Sequence, residues 1–262
     1  MPNIQAISRE RHAAKRWQRN THYTFVAAEP FTPLVMQELP MAMQTMPIVF
    51  LEVKGAYMPY AMQGLALGKN LFVAGNGQWV GAYIPAALRA YPFGLVNTTD
   101  QQHVLCIDED SGLLSDTTGE SFWDASGQPS AALGEVFELL RTVETNRPVT
   151  QAMCALLQKH LLIKPWLLKI KGESNEQTVE GLFCIDEAAL NRLSAQALLE
   201  LRNAGALLCA YCQLLSMQNV QTLGQLASVH AKESAMARAP LPIKSKELDL
   251  SFLGDSGTMK FF

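Results

Sequence analysis

Between positions 23 and 108 the apolar residues fall in short runs cut by Pro and Gly, at 24–27, 47–53, 70–74, 78–81 and 104–108. Short runs rich in Val, Ile, Phe and Trp and bounded by turn formers are the pattern of strands, so the N-terminal half predicts a mainly antiparallel sheet. Gly75, Asn76 and Gly77 supply its clearest hairpin turn, because Asn and Gly tolerate the positive φ that tight hairpins require. The segment 34–44, fenced by Pro33 and Pro47, predicts a short helix between the first strands.

Past a polar, Gly-containing loop at 111–129 the period changes to a helical one. Leu133, Val136, Phe137 and Leu140 fall at i, i+3, i+4 and i+7, and Val149, Met153, Leu156, Leu157 and Leu161 repeat the pattern, which predicts two amphipathic helices. Segments 166–171 and 178–184 predict a β-hairpin around a polar turn. Asp186 is placed to cap a helix carrying Leu190, Leu193, Ala197, Leu198 and Leu201, with Gly205 ending it, and a further helical stretch runs to about Ser228. Near the start, Ser8 can cap a short helix in the basic stretch 8–19. The expected fold is α+β, mainly antiparallel sheet in the N-terminal half and helices plus a β-hairpin in the C-terminal half. We expect one compact domain over 1–234, with a β-rich lobe at 1–128 and a helix-rich lobe at 129–234, followed by an irregular tail at 235–262.

Composition narrows the function classes. An apolar share of 48% with 17% charged residues is that of a globular chain. A net charge of −3 gives no global basic field, so no nucleic-acid partner is expected, and the basic stretch at 8–19 is first of all a solvated helix face. The longest apolar stretch, 204–217, is too short to cross a bilayer and contains Gln213, so no membrane span is expected. Five scattered cysteines and no apolar segment after the basic N-terminus point to a cytoplasmic location.

The chemical motifs are mostly excluded by spacing. Cys209 and Cys212 form a lone C-x-x-C inside an apolar helical stretch, where core cysteines are expected rather than a zinc or redox pair. Side chains alternate along a strand, so His103 points away from Cys106 and Asp108. The acidic run at 108–110 ends in Ser111 and Gly112 and lacks calcium-loop spacing, which leaves a strand-ending turn. Gly75-x-Gly77 leads into a strand and carries no dinucleotide fingerprint. No cofactor, metal or catalytic residue is expected from these patterns. One span remains: Trp79, Tyr83, Arg89, Tyr91 and Phe93 crowd into a short stretch punctuated by Pro85 and Pro92. Aromatics around one guanidinium can build a pocket for a planar or anionic ligand, or can simply be core with Arg89 tying down a loop.

In order, Trp79, Tyr83-Ile-Pro-Ala86 and Arg89-Ala-Tyr-Pro-Phe93 resemble the signature of the surface-layer-associated SapC family. Further matches are Arg9-Glu-Arg-His12, Pro47-Ile-Val-Phe50, Asn70-Leu-Phe-Val73, Cys106-Ile-Asp108 with Ser111-Gly-Leu-Leu114, and Gly181-Leu-Phe183 with Asp186. The resemblance implies a bacterial protein whose basic N-terminus belongs to the fold. It carries no reaction, and it is distinct from a peptide-transporter permease of the same label, which would span the membrane several times. Relatives encoded near outer-membrane uptake receptors and halogenase-like proteins imply an accessory role with a protein partner; surface-layer assembly is a further implication. The alternative is a small-molecule-binding or catalytic subunit in which Arg89 clamps an anion and Asp108 or His12 handles protons. The candidate contact residues are therefore Trp79, Tyr83, Arg89, Tyr91, Asp108 and His12.

Overall fold

The computed structural model describes residues 3–97, 103–171 and 176–238. It opens with β1 (Ile4–Ala6) and α1 (Arg9–His12), whose cap is Ser8: its hydroxyl accepts from the Arg11 N–H. The helix stops at His12, well short of position 19, and the chain enters β2 (Arg16–Trp17). Residues 24–27, expected as a strand, form instead a 3₁₀ turn at Thr24–Val26. Tyr23 and Val26 are both buried in a small cluster with Val73 and Leu88, and a spacing of three residues shares a face in a 3₁₀ turn but not in a strand.

β3 (Phe31–Pro33) leads to the segment expected as a helix, where a 3₁₀ turn at Met36–Glu38 runs into α2 (Leu39–Ala42). β4 (Ile48–Val53) and β5 (Ala56–Met62) then pair along their whole length. Lys54 and Gly55, both at positive φ, make the two-residue turn between them. β5 escapes sequence reading because Pro59 interrupts it, and Pro is rare inside a sheet. The strands expected at 70–74 and 78–81 shrink to a single bridge, Val73 to Trp79, closed at 2.9 Å by the Ala74 N–H on the Gln78 carbonyl. Side chains replace the ladder there: the Phe72 N–H donates to Asn70 Oδ1, and Asn70 Nδ2 to Gln63 Oε1. After α3 (Ala86–Arg89), β6 (Phe93–Asn97) and β7 (His103–Asp108) extend a sheet ordered β1-β7-β6. β8 (Leu114–Ser115) and β9 (Glu120–Ser121) flank β2.

The two amphipathic helices expected next are one, α4 (Ala131–Lys159), with Pro148 inside it. β10 (Ile163–Pro165), β11 (Leu168–Lys171), β12 (Glu176–Val179) and β13 (Phe183–Ile185) nest as two hairpins. The outer hairpin joins the N-terminal strands in a five-stranded antiparallel sheet, β10-β13-β4-β5-β3. The polar turn expected between the inner strands lies, for 172–175, outside the described residues. Asp186 caps as expected, but only α5 (Glu187–Leu190); Ser194 then caps α6 (Ala195–Asn203), and Gly205 at φ 74° separates it from α7 (Ala206–Ser216). α8 (Val220–Arg238) carries helix past Ser228 into positions expected as tail; 239–262 lie outside the described residues.

Two cores result. The larger joins β4, β5, the C-terminal half of α4, and α6 and α7; the smaller gathers Trp17, Phe93, Ile107, Phe122, Leu133 and Leu140. Among the described residues no helix is long and apolar enough to cross a membrane.

Candidate functional site

The block that begins at Trp79 is organised by a residue sequence reasoning passed over. Glu38, at the end of its 3₁₀ turn, is only 6% exposed. Its Oε1 accepts from the Tyr83 hydroxyl at 2.8 Å and from the Ala86 N–H at 2.6 Å, and its Oε2 accepts from the Val35 N–H at 3.1 Å. Three donors thus answer a charge that burial alone would make costly. Burial, and then the neighbouring Glu38 carboxylate, push the Tyr83 phenol well above its usual range, so this hydroxyl stays a donor. A signal for Glu38 does exist in the chain: it is the one charged residue between Glu29 and Glu52.

Around this pair the other three candidates of the block, Trp79, Tyr91 and Arg89, take different parts. Trp79 stacks on Phe72 and donates its Nε1–H to the Tyr83 carbonyl at 2.9 Å. Tyr91 lies on Phe25 with ring centres 3.8 Å apart and precedes a cis bond to Pro92. Both are half-buried packing residues. Arg89, at the C-terminal end of α3, is exposed, with its guanidinium carbon 5.8 Å from the centre of the Tyr83 ring. Among the described residues no carboxylate lies in ion-pair reach of it. Tyr83 and Arg89 line a groove of about 450 Å³, whose apolar floor is Val35, Met41, Leu139 and Val143 and whose wall includes Glu38.

His12 and Asp108 lie elsewhere. Asp108 ends β7 and accepts from the Asn3 N–H at 2.9 Å and the Asp110 N–H at 3.2 Å, the strand-ending turn expected of it. His12 is fully buried against Phe122, its Nδ1 3.2 Å from both the N–H and the carbonyl of Ser8, and its Nε2 3.3 Å from Glu109 Oε1. Arg11 donates to both oxygens of Glu109 and holds that carboxylate below its usual range. His12, Arg11 and Glu109 line a polar cleft of about 490 Å³ that does not include Arg89. The six candidates therefore make two neighbourhoods, joined through the Asp108 N–H on the Pro92 carbonyl at 3.0 Å.

The remaining motifs resolve as structure. The basic stretch is tied to acids, Arg11 to Glu109, Lys15 to Asp116 and Arg19 to Glu120 and Glu135, as expected of a segment built into the fold. All five cysteines are buried and free, and a hydrogen bond with Cys154, together with burial, pushes the Cys209 thiol well up.

A family model described as SapC matches residues 7–223 of this chain. Neither a curated protein nor a solved structure gives a match.

Proposed function

Since this chain belongs to the SapC family, we propose that it is an accessory protein that captures a protein partner, with the groove beside Arg89 as the contact. The observation that carries this reading is the exposed Arg89 guanidinium, with no carboxylate in ion-pair reach among the described residues, at the edge of an apolar groove whose far wall is fixed by Glu38 and Tyr83. An apolar floor bordered by an exposed Arg is the make-up of an interface hot spot, and the cation selects an acidic residue on the partner. The partner belongs to a bacterial uptake or halogenase-like system, in keeping with what the family resemblance implies.

The test uses Arg89, which is exposed, rather than Tyr91, whose ring is part of the packing. A photo-crosslinking side chain at Gln37, which also lines the groove, should trap one protein from the native organism. Arg89→Glu should abolish that crosslink while leaving the melting temperature unchanged. A crosslink equally strong in Arg89→Glu would overturn the reading.

A further inference from the structure

The two sides of α7 differ. On one, Cys209, Cys212, Gln213 and Ser216 are buried, and Gln213 and Ser216 bond the backbone of β4 and β13. On the other, Leu208, Tyr211 and Leu215 are each about half exposed. Spacings of three and then four residues set these side chains in one stripe along the helix, the spacing by which one helix offers side chains to a second. None of the three lines the Arg89 groove.

Three observations bear on what covers the stripe. The first is charge. The solvent side of a surface helix ordinarily carries charged residues, yet no Asp, Glu, Lys or Arg occurs from 203 to 231, although 17% of the chain is charged. α7 therefore has no charge with which to select an oppositely charged partner, and none with which to repel its own copy. The second is symmetry. Tyr211 stands between two leucines, three residues from one and four from the other, so the reversed stripe is nearly the same stripe. An antiparallel copy places Tyr211 over Tyr211 and Leu208 over Leu215 of the second copy, with an offset of only about 1.5 Å, the rise of one residue. A contact between identical chains about a two-fold axis requires that self-complementarity. The third is size. Three large half-exposed side chains leave roughly 300 Å² open, on the scale of the largest apolar patches of single chains. Two such patches with a polar rim reach the lower end of specific interfaces, about 1,200 Å² in all, which fits association in the micromolar range.

We propose that the stripe is the contact between two copies of this chain, α7 of one lying antiparallel on α7 of the other across a two-fold axis at Tyr211. The contact shares no residue with the groove assigned to the protein partner, and either can fail without the other.

Sedimentation velocity of the full chain from about 1 to about 300 μM should show the mass rising from one copy towards two. Tyr211→Glu sets like charges against each other at the axis and should weaken the dimer at least about tenfold, as should Tyr211→Lys. Mixed in equal amounts, the two variants should associate again, a recovery that a folding defect would not allow, and circular dichroism should show unchanged helix content in both. Leu215→Gln should weaken association while leaving the urea midpoint unchanged at about 1 μM, where the wild-type chain is a monomer. A wild-type chain that stays monomeric at every concentration would overturn the proposal and leave the stripe to a different protein. An undiminished dimer in Tyr211→Glu, or no association in the mixture of the two variants, would overturn it as well.

Discussion

Glu38 shows how much of this protein rests on single polar side chains. Its carboxylate holds the entry to α2, the first turn of α3 and the Tyr83 ring in one arrangement, and Arg89 is mounted against that ring. Tyr83→Phe removes one donor and keeps the ring, so we expect a loss of about 1–2 kcal/mol in urea unfolding. Glu38→Leu strands two buried N–H groups as well as the phenol, and about 3 kcal/mol should go. Losses below about 0.5 kcal/mol in both variants would mean that the network is not what holds the groove wall. The sequence displays the aromatic and Arg block openly, because those residues are crowded into one span. It does not display Glu38 as their partner, since the contact spans 45 positions and follows no local periodicity.

Elements were easiest to foresee where burial follows one period, and hardest where a neighbour overrides it. β4 and β7 emerge close to their expected bounds. α4 was expected as two helices because its apolar positions fall in two separate runs, and Pro148, which cannot donate to a carbonyl one turn back, lies between them. The helix continues because contacts across the molecule hold the following turn, among them the Met36 N–H on Thr150 Oγ1 at 2.9 Å. Gln213 is the clearest case of a misleading local signal: in the sequence it is merely a polar break in an apolar stretch. In the structure it is fully buried, accepting from the Ile185 N–H and donating to the Ile48 carbonyl. It thereby joins α7 to β13 and β4, which share the single register pair Phe183 to Phe50. Gln213→Leu should cost about 2–3 kcal/mol, because two buried backbone groups lose their partner. Leu215→Gln, on the exposed face of the same helix, should stay within about 0.5 kcal/mol of wild type.

At the scale of the molecule, the two cores each combine residues from before and after position 128, and α4 contributes to both. One transition in urea is therefore expected, with circular dichroism and tryptophan fluorescence giving coincident curves; separated curves would indicate two independently folding lobes. Acid should weaken the whole. Glu109, Asp186 and Glu200 are held below their ordinary ranges by donors, Arg11, the Ala189 N–H and Lys159 respectively. Their stabilisation is complete above the unfolded values, at about pH 5 and higher, and is lost as pH falls through the lower folded values. Urea midpoints should be level from pH 7 to about 5 and fall below about 4, less steeply in Glu109→Gln. By itself the sequence determined the α+β class, the strand-rich and helix-rich halves, the capping of α1 and α5 and the family, because each is written in local period, turn chemistry or contiguous motif. Only the tertiary structure decided that the C-terminal hairpin completes the N-terminal sheet, that Arg89 faces a groove while Trp79 and Tyr91 pack beside it, and that His12 and Asp108 stand apart. Those outcomes depend on which distant donor meets which acceptor, and no local pattern in a chain encodes that pairing.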